Sequence, residues 1–77
     1  MSTSSTLTIR TARGDEASVR RLALLDSQRP LTGDVLLAQV DGQPVAAVAP
    51  ATGQVVADPF RRTAEIVGAL RGLAVAA

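Results

Sequence analysis

Cysteine, histidine, lysine, tyrosine and tryptophan are all missing from this chain. Each absence removes a class of chemistry. Without Cys there is neither a disulfide framework nor a thiolate nucleophile, and without Cys and His together the ordinary zinc sites are gone. Without His, Lys or Tyr the common general bases, Schiff-base formers and phenolic proton donors are gone as well. Ser18, Ser27, Thr52 and Thr63 have no His or Lys to activate a hydroxyl, which excludes hydrolytic triads. Only carboxylates and hydroxyls are left to carry chemistry. Asp15, Asp34, Asp41 and Asp58 each stand beside Gly or Pro, where an Asx turn or a cap accounts for them. No catalytic residue and no metal ligand is assigned.

Aromatic area is almost absent too, with Phe60 standing alone. A core must then be aliphatic and alanine-rich, burying little area per side chain and leaving a small margin of stability. With 77 residues, one core covering roughly 60% of the unfolded surface is the most the chain can build. Chains of this size lean on disulfides, a metal or a partner subunit. The first two are out, so good packing or self-association must serve. The hydrophobic fraction, 47% and almost wholly Ala, Val, Leu and Ile, suits both and argues against disorder throughout.

Charge of one sign is lacking as well. Eight Arg face seven carboxylates for a net charge of +1, and their spread along the chain makes no field that draws nucleic acid or an anionic membrane. The pair Arg20-Arg21 has no aromatic interleaved for base stacking and reads as a solvated helix face. No stretch approaches the roughly 18 apolar residues of a membrane span, since Glu65 and Arg71 interrupt the segment that comes nearest. The opening Met1-Ser2-Thr3-Ser4-Ser5-Thr6 lacks the basic start and apolar run of a secretory signal. The expectations are a cytoplasmic protein, a flexible tail over residues 1–6 and one domain over residues 7–77. Arg13-Gly14-Asp15 spells a cell-adhesion tripeptide, a match too short to weigh.

What is present is an ordered succession of periodic segments. Leu7-Thr8-Ile9-Arg10 alternates as a half-buried strand. Gly14-Asp15 opens a helix, with Asp15 as N-cap and Val19, Leu22, Ala23 and Leu25 on one face, running to about Asp26. Arg29-Pro30 and Thr32-Gly33-Asp34 break it. Val35–Val40 is apolar on both alternations, as in a strand covered on both faces. Asp41-Gly42 predicts a tight hairpin turn into Val45–Ala49, with Pro44 and Pro50 at strand ends, and Gln54–Ala57 completes a meander. A last helix starts between Pro59 and Thr63, with Ile66, Val67, Leu70, Leu73, Ala74 and Ala77 as its apolar stripe. The fold expected is α+β: a mainly antiparallel four-stranded sheet in the order β-α-β-β-β-α, packed with two helices.

Read in that order, Leu7-Thr8-Ile9-Arg10-Thr11-Ala12 leading into Asp15-Glu16-Ala17 and Val19-Arg20-Arg21-Leu22-Ala23, followed by Leu36–Ala46, resembles the N-terminal half of the GCN5-related N-acetyltransferase (GNAT) fold over roughly residues 7 to 60. The resemblance implies acetyl transfer from acetyl-coenzyme A to an amine, with the cofactor pyrophosphate on a glycine-rich loop that opens a helix. The corresponding stretch here is Asp58-Pro59-Phe60-Arg61-Arg62-Thr63-Ala64-Glu65. It has no glycine to let backbone N–H groups approach phosphate, and Asp58 adds a negative charge. Arg61 and Arg62 are the weak anion-binding candidates, and two solvated charges at a helix start is the weightier view of them. The family's C-terminal strands and its tyrosine acid have no counterpart.

The function expected is a non-catalytic, self-associating GNAT-like module, structural or partner-binding, without a cofactor. The alternative is an acyltransferase-like or acyl-CoA-binding protein in which two chains complete a site for acetyl-CoA. The partner expected is a second copy of the chain or another protein. The last helix carries the case for an interface. Opposite its stripe, Ala64, Gly68, Gly72 and Ala76 recur every four residues with Val75 beside them, and Leu24 is left on the outside of the first helix. Gly68 and Gly72 each weaken a helix by about 1 kcal/mol relative to Ala, which close packing would offset.

Overall fold

The structure, a computed structural model, describes residues 6–76. Residues 1–5 of the expected tail, the side chain of Ala76, and Ala77 of the expected stripe lie outside the described part. The chain forms β1 (Leu7–Arg13), α1 (Ala17–Leu25), β2 (Asp34–Val40), β3 (Gln43–Ala49), β4 (Gln54–Ala57) and α2 (Ala64–Ala76). The strands make one four-stranded sheet in the order β1-β2-β3-β4, every neighbouring pair antiparallel. This is the α+β order the sequence predicts. Among the described residues no helix is long and apolar enough to cross a membrane.

The two helices lie on opposite faces of the sheet. Val19, Leu22 and Ala23 of α1 pack with Ala12, Leu31, Val35, Leu37, Ala47, Ala49 and Val56. On the other face Leu70 of α2 packs with Ala38, Val45, Ala46 and Val48, flanked by Ile9, Leu36, Val40, Val55, Ile66, Val67 and Ala74. Covering on both sides is why β2 and β3 read as apolar on both alternations. Between Ala38 and Gln39 the register slips, so that Ala38 faces Ala46 while Gln39 faces Pro44. Val45 is the extra residue of a bulge, and its carbonyl accepts from the Asp58 N–H at 2.8 Å. Bulging lets Val45 and Ala46 serve the same core face. It also explains Pro44, which the alternation places at a strand end and which sits inside β3 beside the bulge, where a missing N–H is tolerated.

Asp41 and Gly42 form the two-residue β2–β3 turn with φ of 51° and 80°. Positive φ at both positions is the primed turn that suits the twist of a hairpin. The Asp41 N–H donates to the Thr6 carbonyl and Asp41 Oδ1 accepts from the Thr6 N–H, both at 2.9 Å.

Three local expectations are corrected. The first strand extends to Arg13 because pairing with β2 continues unbroken to Arg13↔Asp34. The N-cap of α1 is Glu16, not Asp15, and no side chain bonds the helix start; Glu16 N–H turns back to the Arg13 carbonyl while its own carbonyl accepts from Arg20. Leu25 of α1 and Leu73 of α2, placed on the buried stripes, are exposed, Leu73 by 47%. Each is a flank position, whereas Leu22 and Leu70 occupy the centres of their contacts and are sealed. The first helix ends where the sequence places it, with Leu25 as its last residue and Asp26 as C-cap, in a Schellman arrangement. There Gln28 N–H reaches the Ala23 carbonyl (2.9 Å), Ser27 N–H reaches the Leu24 carbonyl (3.1 Å), and Ser27 takes φ of 52°.

Two substitutions test this local chemistry. Gly14 is buried with its N–H on the Gly33 carbonyl, and a Cβ there would sit 2.1 Å from the Leu31 carbonyl oxygen. Gly14→Ala must push backbone apart and is expected to lower unfolding free energy by about 1–3 kcal/mol, as overpacking does. Ser27→Gly relieves a left-handed residue and is expected to raise it by up to about 1 kcal/mol. Urea unfolding followed by circular dichroism measures both.

Candidate functional site

No polar or charged side chain is buried among the described residues, and no group of acidic side chains there is disposed to hold a metal. A desolvated acid or base of the kind that tunes proton transfer is thus absent from the described part. One polar network does form, at the junction of β1 and α1. Arg10 grips Glu16 with both terminal nitrogens, Nη1 to Oε1 at 3.1 Å and Nη2 to Oε2 at 2.7 Å. Ser18 Oγ donates to the same Oε2, Arg10 Nε donates to Gln39 Oε1 (3.2 Å), and Gln39 Nε2 donates to the Gly42 carbonyl (3.4 Å). Hydrogen bonds from Arg10 first and Ser18 second hold the Glu16 carboxyl down at about 2, and the bond to Glu16 raises Arg10. A carboxylate fixed in its charged form joins elements together; it neither gives nor takes a proton near neutrality. Nothing in the sequence pattern flags this network, because Arg10 and Glu16 are brought together only by the turn at residues 13–16.

The anion candidates come together in part. Arg61, Arg62 and Thr63 line a groove at the start of α2 with Val40, Val45 and Ile66. Arg61 Nε stands 3.8 Å from Asp58 Oδ2, so its charge is partly offset. Asp58 Oδ1 accepts from the Phe60 N–H at 2.9 Å, the Asx turn expected of an Asp-Pro start. Phe60 itself is 83% exposed. The tripeptide at 13–15 is no free loop, since its glycine is buried and Arg13 pairs with Asp34 at 3.3 Å.

The interface candidates divide between two faces. Ala64, Gly68, Gly72 and Val75 all lie on the outward side of α2, and Val75 is 87% exposed. A Cβ placed on Gly68 or Gly72 would meet nothing within 4 Å. The ridge therefore does not pack on α1 or on the sheet of its own chain. Leu24 is exposed as the sequence indicates, by 79%, but on α1, across the sheet from that ridge. Ala76 belongs to the ridge by spacing, and its side chain is outside the described part.

The Arg10–Glu16 clamp has a pH signature. A folded-state value depressed to about 2 contributes stability above the ordinary carboxylate range, and that contribution is lost as pH falls from there through the folded value. Carbon-detected NMR titration should place the Glu16 midpoint well below the ordinary carboxylate range, and Arg10→Gln should return it toward that range. A Glu16 midpoint that Arg10→Gln leaves unmoved would contradict the clamp.

Comparison with protein-family models, with curated proteins and with solved structures finds no match for this chain.

Proposed function

We propose that the chain is a non-catalytic, self-associating structural module on a GNAT-like half fold, in which the outward ridge of α2 forms the contact between copies. The observation that carries this is the empty space outside Gly68 and Gly72, in a helix whose outer side also exposes Ala64 and Val75. Two glycines in a helix interior weaken it by about 1 kcal/mol each relative to Ala. Inside the chain nothing uses the room they leave. Close approach of a second helix does, and a two-fold axis supplies an identical ridge. The lack of any buried acid or base among the described residues supports a module without chemistry of its own. The strand–helix–meander–helix order, with helices on opposite faces, supports the GNAT-like assignment.

The acyl-CoA alternative draws on the groove at the start of α2, where Arg61 and Arg62 stand together. Against it are the missing glycines and Asp58, which pairs with Arg61. Titration calorimetry with acetyl-CoA is expected to give no binding tighter than about 10 μM, or about −7 kcal/mol; tighter binding would reverse the order of the two readings.

Light scattering decides the main proposal. The wild type is expected to be a dimer or larger at micromolar concentration and Gly68→Leu a folded monomer. Leu is the better helix former and its Cβ meets nothing within 4 Å, so the variant is expected to keep the wild-type circular dichroism spectrum while losing association. A monomeric wild type, or a variant that associates unchanged, would sink it.

A further inference from the structure

The sheet has two edges, and they are treated differently. At β4 the outward N–H of Ala57 is taken by Asp26 Oδ2 at 3.1 Å, and Gln54 Nε2 ties the strand to the Arg29 carbonyl at 2.8 Å. The α1–β2 connection thus closes an edge that is already only four residues long. The β1 edge spans seven residues in unbroken register, with no Pro or Gly among them. Its inward-bonded positions follow from the flanking bonds. Asp41 N–H on the Thr6 carbonyl and Gly14 N–H on the Gly33 carbonyl make the even-numbered residues the bonded partners of β2, since bonded and non-bonded pairs alternate. Leu7, Ile9, Thr11 and Arg13 therefore turn their backbone groups outward. The Arg13 carbonyl accepts from Glu16 N–H (3.0 Å) and the Thr11 carbonyl has Arg10 Nη1 at 3.5 Å. No bond within the described residues is recorded for the outward N–H groups of Ile9 and Thr11 or for the carbonyls of Leu7 and Ile9.

We infer that this edge pairs with the same edge of a second copy, antiparallel about a two-fold axis at Ile9, so that two sheets run on as one. The contact is separate from the α2 ridge and does not rest on it. An unblunted edge of this length is a template for another strand. Its charge pattern names the occupant, and the outward carbonyls already taken at Thr11 and Arg13 set the register toward the Leu7 end, where an axis at Ile9 gives a longer overlap than one at Thr8. The two arginines along the edge are each neutralised within the chain, Arg10 by Glu16 at 2.7 Å and Arg13 by Asp34 at 3.3 Å, so an identical edge is not repelled and an acidic or basic strand gains nothing special. Outward groups can meet only outward groups. A two-fold at Ile9 satisfies this, pairing Ile9 with the partner's Ile9 and Leu7 with the partner's Thr11, while Arg10 falls opposite the partner's Thr8. Moving the axis to Arg10 also keeps the parity but sets the two Arg10 side chains directly opposite, a destabilising like-charge pair. On the α2 side the chosen register covers Leu7, 46% exposed, and the half-buried Ile9.

The experiment is backbone amide exchange by NMR on the Gly68→Leu chain, from micromolar to millimolar concentration, with sedimentation of the same samples. The Ile9 and Thr11 amides are expected to slow by roughly tenfold or more as concentration rises, with the mass moving toward a dimer. Thr11→Pro, added to that chain, removes one outward N–H at an edge position and no bond to β2; it is expected to keep the circular dichroism spectrum and abolish the association. Concentration-independent exchange at Ile9 and Thr11, or association that survives Thr11→Pro in a folded chain, overturns the inference. So does concentration-dependent slowing at Val55, on the outward side of β4, which would mean edge-to-edge growth in an open chain. If the wild type and Gly68→Leu have equal mass while Ile9 and Thr11 are protected, the ridge fails and the edge stands.

Discussion

Burial of β3 on both faces is the constraint from which the rest follows. Val45 through Ala49 are sealed from solvent without a break, with α1 against one side of the strand and α2 against the other. A chain with a single aromatic residue cannot fill space with large side chains. It brings backbones close instead, and the alanines at 46, 47 and 49 are what let two helices approach one strand. Short contacts of that kind deliver little area per residue. They also fix which helix positions matter. Only the residues at the centre of each helical stripe reach β3, which is why Leu22 and Leu70 are sealed while Leu25 and Leu73 overhang.

Covering β3 twice also determines what remains uncovered. Both helices are committed to the sheet by one side, and four strands are too narrow a platform to shelter either helix beyond it. Hence the outer side of α2 and Leu24 on α1 face away from the molecule on opposite sides. The β1 edge lies at the far margin from the strand pair on which α1 rests. The Arg10–Glu16 pair sits near that margin and brings β1 to the start of α1. Its exposure keeps the energetic weight of the pair modest, and its contribution lies in fixing the angle at which the chain leaves the strand.

The legible features were those encoded within a few residues. Asp41-Gly42 between two apolar runs specified the hairpin, because both positions must take positive φ and few dipeptides do so readily. Proline and glycine marked the breaks, and the four-residue recurrence of small residues on α2 marked a side that the fold leaves bare. Features set by distant partners were hidden. The Val45 bulge could not be read, since a strand apolar on both faces has no alternation whose slip would betray an extra residue. Asp15 looked like a cap, but the turn at Arg13–Glu16 moved the helix start one residue on. The Arg10–Glu16–Ser18 network and the Asp26 bond to β4 join residues that only the folded chain makes neighbours. The aliphatic stripes gave the facing direction of each helix and not its reach.

A sheet that parts the interior into two separate cores makes the molecule thermodynamically lopsided. The buried strand residues on the α1 side come from all four strands, whereas those on the α2 side come from β2 and β3 alone, with Ile9 of β1 and Val55 of β4 only half-buried beside them. On the α2 side one fully sealed leucine anchors a helix that follows the last strand of the sheet and pairs with none of its edges. Detaching α2 opens that core without untying any strand pair, and such an opening costs less free energy than global unfolding wherever the sheet and the α1 core hold without it. Anything seated on α2 therefore acts on the weaker of two coupled equilibria. It stabilises the intact globule by mass action through its grip on the element that leaves first, and the population of α2-detached chains becomes a function of protein concentration.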